Sequence, residues 1–263
     1  MLVFLKLGGS LITDKTNPYT PRLRMLDKLA NQIAEAIGDV PDLQLVLGHG
    51  SGSFGHEAAS EFNTRSGVSG PEAWQGFAEV WYQASALNRL VVNALRRVKL
   101  PAVTLAPFPA IMVSDGKIVA WDLAPLKASM ANGLLPILHG DVVFDKIRGG
   151  TILSTEDLFS YLANHIRPKR ILLAGLEEGV WNDFPARKLL LREMTPKSFE
   201  KQAPGLGSSA GADVTGGMKT KVSEMLTLVE QIPDLEVLIF SGEEPNNVLR
   251  ALKGENPGTC LHC

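Results

Sequence analysis

Cysteine is scarce in this sequence. The 263 residues contain only Cys260 and Cys263, which belong to the C-terminal segment Cys-Leu-His-Cys. That segment has the composition of a three-ligand metal cluster, but its terminal position favours a frayed tail with two free thiols. No protein-held metal site is therefore expected. The lack of any interior cysteine fits a reducing, cytoplasmic environment.

Long apolar runs and an excess of charge of one sign are also missing. No stretch of about 18 apolar residues occurs, so no transmembrane helix is predicted. The formal net charge is −2, which gives no general attraction to nucleic acid or to an anionic membrane. The N-terminal segment Met1–Lys6 is apolar but short and has no basic region before it. We expect it to be a strand and not a signal peptide.

Two common nucleotide-binding signatures are absent as well. The pattern G-x-x-x-x-G-K-[ST] does not occur, which excludes a Walker-type kinase. The catalytic-loop and D-F-G motifs of protein kinases do not occur either. A phosphate-binding function would have to use other glycine-rich elements.

Continuous apolar runs alternate with helical patterns along the chain. Runs without polar alternation are typical of strands buried on both faces of a parallel sheet. The predicted strands are Leu2–Leu7, Leu43–Leu47, Ala102–Leu105, Pro136–Leu138, Ile171–Ala174 and Glu236–Phe240. The predicted helices are Met25–Ile37, Pro71–Val98, Leu123–Asn132, Thr155–Ile166 and Met218–Ile232. This order predicts an α/β fold, a three-layer αβα sandwich with a mainly parallel central sheet.

Several segments interrupt that alternation. Residues 111–121, around Asp115-Gly116, and residues 142–153 are predicted to form β-hairpins. Thr13–Arg24 and Gly205–Gly217 are polar and are candidate mobile loops over a site. The length allows one large domain or two small ones. Because no linker or repeat appears, we expect a single domain over residues 1–263.

A glycine-rich stretch follows the second predicted strand. Gly48, Gly50, Gly52 and Gly55 lie in Leu-Gly-His-Gly-Ser-Gly-Ser-Phe-Gly-His56. Glycines let backbone N–H groups approach an anion closely. The pattern also satisfies G-x-G-x-x-G, but a dinucleotide site needs another strand and an acidic residue about 20 positions later. A long helical stretch follows instead. A structural glycine turn remains the alternative interpretation.

Lysines accompany two further glycine pairs. Lys6 lies in an apolar strand before Gly8-Gly9-Ser10, where it either reaches water from an edge or faces a ligand at the carboxyl end of the sheet. Gly216-Gly217 precede a helix that carries Lys219 and Lys221, and helix N-termini attract anions. Ordinary solvated lysines are the alternative there. Several glycine loops with several lysines suggest phosphoryl transfer, which depends on positioning and charge neutralisation.

These motifs resemble the amino acid kinase superfamily. The residues that carry the resemblance are Lys6-x-Gly-Gly-Ser10, Gly48-His-Gly-x-Gly52 and Asp213-x-x-Gly-Gly-Met-x-x-Lys221. Asp14-Lys15, His49-Gly-Ser-Gly-Ser-Phe-Gly-His56 and His139-Gly-Asp-Val-Val-Phe-Asp145 are similar to the isopentenyl phosphate kinases within it. The resemblance spans almost the whole chain. It implies the amino acid kinase fold, with residues 1–165 on the acceptor side and residues 166–263 on the nucleotide side.

The resemblance also implies an activity and a site. The family transfers the γ-phosphate of Mg-ATP to isopentenyl phosphate, with ATP and Mg²⁺ as cofactors, and a homodimer is implied. The implied catalytic residues are Lys6, Lys15, His56 and Lys221. The implied nucleotide contacts are Lys6, Gly8, Gly9, Ser10, Gly52, Gly175, Glu178, Gly216, Gly217 and Lys221. The implied acceptor contacts are Ser51, Gly52, His56, Gly140 and Asp141.

The ribose-binding turn departs from the family pattern, and the pocket for the isoprenoid tail has no motif. Gly175-Leu-Glu-Glu-Gly-Val-Trp181 replaces an Asp-containing turn, so that either Glu177 or Glu178 meets the ribose. An isoprenoid tail needs a dry pocket, and the helix from Pro71 presents Phe77 and Trp81 on an apolar face. Such faces are usually core, but these two residues are the predicted tail contacts.

Three functions remain open at this point. A prenyl phosphate kinase is favoured. A kinase of another small phosphate or phosphonate, such as fosfomycin, would keep the same lysines and histidine. A non-catalytic nucleotide- or oxyanion-binding protein has no need for the transition-state lysine Lys15, so the lysine set argues against it.

Overall fold

The computed structural model describes residues 1–202 and 217–263, apart from the side chains of His56 and Gln202. The strands are β1 Leu2–Leu7, β2 Thr13–Asp14, β3 Thr20–Pro21, β4 Gln44–His49, β5 Ala102–Thr104, β6 Ile111–Ser114, β7 Lys117–Trp121, β8 Leu135–His139, β9 Asp141–Asp145, β10 Gly149–Leu153, β11 Arg170–Gly175, β12 Val180–Trp181, β13 Leu190–Leu191, β14 Glu193–Met194, β15 Glu236–Ser241 and β16 Thr259–Leu261. The helices are α1 Gly9–Ile12, α2 Leu23–Asp39, α3 Gly52–Phe62, α4 Pro71–Arg97, α5 Pro107–Ala110, α6 Ala124–Ala131, α7 Thr155–Ile166, α8 Pro196–Gln202, α9 Gly217–Gln231 and α10 Asn247–Leu252, with a 3₁₀ turn at Thr64–Ser66.

One eight-stranded sheet runs through the molecule in the order β14-β16-β15-β11-β1-β4-β8-β5. The strands from β15 to β5 in this order are all parallel to their neighbours. All six predicted strands lie in this parallel part, which confirms the interpretation of the continuous apolar runs. Strand β1 lies between β11 and β4 and is therefore an interior strand.

Helices cover both faces of this sheet. Val3, Leu5 and Leu7 of β1 pack in one hydrophobic core with α2, α4 and α10. Phe4 packs in the opposite core with α7 and α9. Successive side chains of a strand point to opposite faces, so β1 contributes to both cores. The predicted three-layer αβα sandwich is confirmed, and Lys6 shares the face of Phe4.

The two predicted hairpins are also confirmed. Strands β6 and β7 pair antiparallel, as do β9 and β10, and a parallel pairing of β6 with β9 joins them into a second, four-stranded sheet. The carboxylate of Asp145 accepts backbone N–H bonds from Asp115, Gly116, Ile147 and Arg148, at 2.7–3.0 Å. This one side chain therefore ties the two hairpin turns together.

The prediction of a frayed C-terminal tail is wrong. Strand β16 pairs antiparallel with β15 and parallel with β14. Cys260 and Leu261 are buried in it, although both cysteines are free thiols. Cys260 packs in one hydrophobic core and Leu261 in the other, next to the edge strand β14. Burial raises the pKa of Cys260 to about 11. None of the described helices is long and apolar enough to cross a membrane.

Candidate active site

A cavity of about 650 Å³ opens at the carboxyl ends of β1, β4, β8 and β11. This is the edge at which open α/β sheets bind ligands, and the volume is within the usual range of ligand pockets. The cavity is lined by these residues of the predicted site: Lys6, Gly8, Gly9, Ser10, Lys15, Ser51, Gly52, Gly140, Gly175 and Lys221. Most of the predicted site residues therefore lie on one contiguous surface, drawn from both halves of the chain.

Two glycine-containing segments touch each other at the base of this cavity. A Cβ atom added to Gly9 would lie 2.5 Å from the Gly52 nitrogen, and one added to Gly50 would lie 2.9 Å from the Gly9 nitrogen. Gly52 also has φ +50°, a conformation that favours glycine. The hydroxyl of Thr13 donates to the Gly9 carbonyl oxygen at 2.8 Å and accepts the Ser53 N–H at 3.0 Å. The segments are thus held backbone to backbone.

The glycine-rich stretch is partly helix and only partly a loop. Strand β4 continues to His49, and α3 begins at Gly52, so His56 lies inside a helix and does not close a loop. The physical reason is the left-handed turn at Gly52, which redirects the chain immediately after the strand. The side chain of His56 lies outside the described residues.

Lys6 meets a buried acidic residue that the sequence did not reveal. Its ammonium group donates to the carboxylate of Glu156, in the first turn of α7. The same Glu156 oxygen lies 3.8 Å from Nζ of Lys221, one turn into α9. The side chains of Lys6 and Glu156 are 12% and 10% exposed. The interpretation of Lys6 as an edge lysine that reaches water is therefore wrong.

The charge of Glu156 is stabilised by both lysines. Burial alone would raise its pKa, but Lys6 and then Lys221 outweigh that effect and lower the pKa to about 2. Glu156 is consequently ionised at neutral pH and is a poor proton acceptor. It holds two cations side by side at the cavity.

Local sequence explains how α7 reaches this position. Ser154 and Asp157 form a capping box, with N–H to side-chain oxygen distances of 2.8 and 3.1 Å. Thr155 donates its hydroxyl to the His49 carbonyl oxygen at 2.6 Å. A Cβ atom added to Gly48 would lie 2.4 Å from Cγ2 of Thr155. Gly48 therefore permits close packing of α7 on β4 and is not part of the cavity surface.

Lys15 lies on a small hairpin at the cavity. Strands β2 and β3 pair antiparallel, and Lys15 is exposed in the turn that follows β2. The carboxylate of Asp14 accepts bonds from the Thr16 N–H, the Thr16 hydroxyl and the Asn17 amide at 2.7–3.0 Å, and these bonds lower its pKa. The turn is organised by local hydrogen bonds, and the segment Thr13–Arg24 begins with β2 and ends in the first residues of α2.

One part of the cavity wall is apolar. Ala59, Val80 and Ile152 line it and belong to a small hydrophobic cluster with Phe77 and Phe108. The rings of Phe77 and Phe108 are 5.7 Å apart, and the rings of Trp81 and Phe108 are 6.4 Å apart. Neither predicted tail contact lines the cavity, because Phe77 is buried in the cluster and Trp81 is exposed, whereas Val80 of the same helix does line it.

A buried histidine pair lies behind Gly140. The rings of His49 and His139 stack at 5.5 Å, and Nε2 of His139 lies 3.4 Å from Oδ2 of Asp141. Burial and then His139 lower the pKa of His49 to about 4. Burial raises the pKa of Asp141, although His139 opposes the shift. Asp141 is thus enclosed with the histidines and does not line the cavity, whereas Gly140 does.

The predicted nucleotide contacts Glu178 and Gly217 do not line the cavity, but neighbouring residues do. Glu177 lines the cavity and Glu178 does not. Glu177 accepts a bond from Nε1 of Trp181 at 3.1 Å and pairs with Arg187 at 2.6 Å. Helix α9 begins at Gly217, one residue before the predicted start at Met218, and Met218 lines the cavity whereas Gly217 does not. Gly216 lies outside the described residues.

Taken together, the geometry suits two polyanions. Two lysines on one carboxylate, backbone segments without side chains and an apolar wall share one cavity. Among the described residues, no group of three or more His, Cys, Asp or Glu side chains is arranged to hold a metal ion.

Comparisons with known proteins agree with this description. The model of the amino acid kinase family matches residues 1–241. The isopentenyl phosphate kinase of Methanocaldococcus jannaschii is 30% identical over 267 residues, which cover 98% of each chain. That of Methanothermobacter thermautotrophicus is 32% identical and covers 97% of this chain and 96% of its own.

Solved structures give the same result at the level of the fold. An isopentenyl phosphate kinase superimposes with a TM-score of 0.83 at 28% identity, over 99% of this chain and 100% of that chain. The UMP kinase of Bacillus anthracis superimposes with a TM-score of 0.65 at 19% identity, over 99% and 95% of the two chains, and supports the fold alone. The chain belongs to the amino acid kinase family, in which the curated relatives described above are isopentenyl phosphate kinases.

Proposed function

We propose that this protein is an isopentenyl phosphate kinase, a phosphotransferase that acts in isoprenoid biosynthesis. It would transfer the γ-phosphate of Mg-ATP to isopentenyl phosphate and release isopentenyl diphosphate and ADP. The observation that carries the proposal is the pair of lysines fixed by Glu156 between a glycine-lined base and an apolar wall. The match to curated isopentenyl phosphate kinases over nearly the whole chain supports the same activity.

The reaction needs positioning more than it needs a proton acceptor. An oxygen of the acceptor phosphate forms a bond to the γ-phosphorus, and the bond between that phosphorus and the β–γ bridging oxygen breaks. The acceptor is already an oxyanion, so no general base is required, which fits the low pKa of Glu156. The two substrates must come within about 3–3.5 Å while their repulsion is cancelled.

The lysines would divide this work. Lys6, near the end of the interior strand, would lie between the two substrates and neutralise charge on the transferred group. Lys221 would hold the β- and γ-phosphates from α9. Lys15, on its exposed hairpin, would close over the transferred group as the transition-state cation. Glu156 pairs with Lys6 and Lys221. It would contact neither the acceptor oxygen nor the γ-phosphorus.

The nucleotide and the acceptor would occupy opposite ends of the cavity. Gly8, Gly9, Ser10, Gly52 and Gly175 would line the ATP, with Gly216 and Gly217 at its phosphates and Glu177 or Glu178 near the ribose. Glu177 is the better placed of the two acids because it lines the cavity. Mg²⁺ is proposed to enter on the ATP phosphates and water, since these are the ligands it prefers.

The acceptor phosphate would meet backbone N–H groups at Ser51 and Gly52, together with His56 and Gly140. Its isoprenoid tail would lie against Ala59, Val80 and Ile152, with Phe77 in the same hydrophobic cluster and Trp81 next to Phe108. Asp141 would act indirectly, through the buried pair with His139.

Three further features belong to the proposal and rest on the resemblance. They are a single domain with an acceptor side at residues 1–165 and a nucleotide side at residues 166–263, a homodimer, and a cytoplasmic location. The two free cysteines are consistent with the last. Sedimentation of the purified chain would test the homodimer directly.

The experiment is ATP turnover, measured by coupled ADP release, with a panel of acceptors. The panel contains isopentenyl phosphate, dimethylallyl phosphate, fosfomycin, acetylglutamate and UMP. A Lys6→Gln variant serves as the inactive control, and Lys169→Gln, at an exposed lysine outside the cavity, is its matched control.

Selective turnover of the prenyl phosphates, lost in Lys6→Gln and kept in Lys169→Gln, is the expected result. Turnover of another acceptor alone would keep the kinase chemistry and overturn the substrate. Failure to turn over any acceptor would contradict the proposal and favour a binding protein on this fold.

A further inference from the structure

Arg65 is a cavity residue that the motifs do not include. It lies in the 3₁₀ turn Thr64–Ser66, just after α3. Its carbonyl oxygen accepts the hydroxyl of Thr151, on β10, at 2.9 Å. The backbone of Arg65 is therefore attached to the second sheet, and Arg65 lines the cavity, as do Ala59 and Ile152.

The charge of Arg65 is weakly partnered. The nearest carboxylate is that of Asp157, with 4.0 Å between Nη2 and Oδ2. That oxygen already accepts the N–H of Ser154 at 2.8 Å and its hydroxyl at 2.7 Å. The side chains of Arg65 and Asp157 are 39% and 38% exposed. The guanidinium group donates no hydrogen bond to a described residue, although it carries five N–H donors.

The position of Asp157 relates Arg65 to the acceptor region. Asp157 caps α7, directly after Glu156, and Ser154 of the same cap lines the cavity with Gly140. The pKa of Glu224 depends on the same charges. Burial, Asp157 and Glu156 raise this pKa, whereas Arg65 and Lys221 oppose the rise. Arg65 is thus a third cation beside the lysine pair, and it approaches from the acceptor side.

We propose that Arg65 binds the phosphate of the acceptor and the diphosphate of the product. In the absence of substrate the guanidinium group lies near Asp157, and it moves to the phosphate oxygens when the acceptor enters. Exchange is favourable because a guanidinium group forms short, charge-assisted bonds to phosphate, whereas a long, exposed pair with a carboxylate contributes little. This inference rests on the proposed function, whose acceptor carries a phosphate group.

The inference predicts opposite effects for the two members of the pair. Arg65→Met keeps the length of the stem and removes the donors, so we expect the KM for isopentenyl phosphate to rise about ten-fold, the effect of one charge-assisted bond. The KM for Mg-ATP should change less than about two-fold, because the nucleotide site is intact. Arg65→Lys should recover part of the loss. Asp157→Asn keeps an oxygen for the cap but releases Arg65, so it should lower the acceptor KM.

A double mutant separates exchange from simple repulsion between Asp157 and the acceptor. If Asp157 acts by holding Arg65, Asp157→Asn should have no effect on acceptor KM in the Arg65→Met background. If Asp157 only repels the phosphate, the improvement should be the same in both backgrounds. Arg148→Met and Asp115→Asn are the matched controls, since that exposed pair, at 2.7 Å, lies outside the cavity.

Titration calorimetry with isopentenyl phosphate alone keeps this test apart from the test of the activity. Normal wild-type turnover with unchanged acceptor KM and affinity in Arg65→Met would overturn the role of Arg65 only. No wild-type turnover, with binding that still depends on Arg65, would overturn the kinase function and support the phosphate contact. Neither turnover nor binding in the wild type would overturn both.

Discussion

Removal of the charge on Glu156 should destabilise the protein by an amount that the structure allows us to estimate. Folding lowers the pKa of this buried carboxyl from 4.5 to about 2, and a tenfold change in an acid constant corresponds to about 1.4 kcal/mol. Ionised Glu156 should therefore contribute about 3 kcal/mol to the free energy of unfolding at pH 7. Loss of one member of a buried ion pair typically costs about 3–5 kcal/mol, which agrees.

The pH dependence has a definite sign. Because the pKa is lower in the folded state, the stabilisation is complete above pH 4.5 and declines as the pH falls from there towards 2. The same two pKa values predict that the contribution of Glu156 to the free energy of unfolding decreases from about 3 kcal/mol at pH 7 to about 2 kcal/mol at about pH 3.5. We expect no pH-dependent contribution of this size from an exposed ion pair.

The assay is urea unfolding of the wild type and of Glu156→Gln at both pH values. Asp115→Asn is the control, because Asp115 is 68% exposed in its pair with Arg148 and should change stability by less than about 1 kcal/mol. Mg-ATP should recover part of the deficit of Glu156→Gln, since phosphate would then provide counter-charge to Lys6 and Lys221. The assigned role of Glu156 would be refuted if Glu156→Gln changed the free energy of unfolding by less than about 0.5 kcal/mol at pH 7. It would also be refuted if the difference from the wild type were as large at pH 3.5, to within about 0.5 kcal/mol, as at pH 7.

Three further predictions concern single positions. Gly52→Ala should lower the free energy of unfolding by about 1–3 kcal/mol, because φ is +50° and the new Cβ would lie 2.1 Å from Oγ1 of Thr13; an unchanged urea midpoint would contradict this. Lys15→Ala should reduce kcat about 100-fold with little change in the KM for ATP, and equal losses in both would place Lys15 in ground-state binding. His56→Ala should raise the KM for the acceptor about ten-fold, whereas an unchanged KM and kcat would remove His56 from the site.

Much of the fold could be predicted because the signals are local. An apolar run buried on both faces needs no knowledge of its neighbours, and the Asp115-Gly116 turn defines its hairpin within a few residues. The short strand β16 was missed for the opposite reason. Its three residues carry no periodic pattern, and only β15 and β14, distant in sequence, make them a strand.

Glu156 and Arg65 show why the site was predicted only in part. Glu156 adjoins a recognisable capping box, where an acidic residue is explained by the helix dipole alone. Its real partner Lys6 is 150 positions away, and the pair exists only because β1 is an interior strand and α7 covers the face of Phe4. Arg65 has no motif at all. Its significance comes from the cavity and from the long distance to Asp157.

The glycines illustrate the converse problem, in which a correct motif conceals several different causes. At Gly48 a side chain is excluded because Thr155 and Phe159 pack against β4. At Gly9, Gly50 and Gly52 it is excluded because two backbone segments touch. An alanine at any of these positions would disturb packing or the backbone, whether or not a phosphate ever binds there. Loss of activity in glycine variants would therefore say little about nucleotide recognition. The charged side chains of Lys15 and Arg65 are exposed or partly exposed, so we expect their removal to leave the fold intact. Binding and stability can therefore be separated at these two positions.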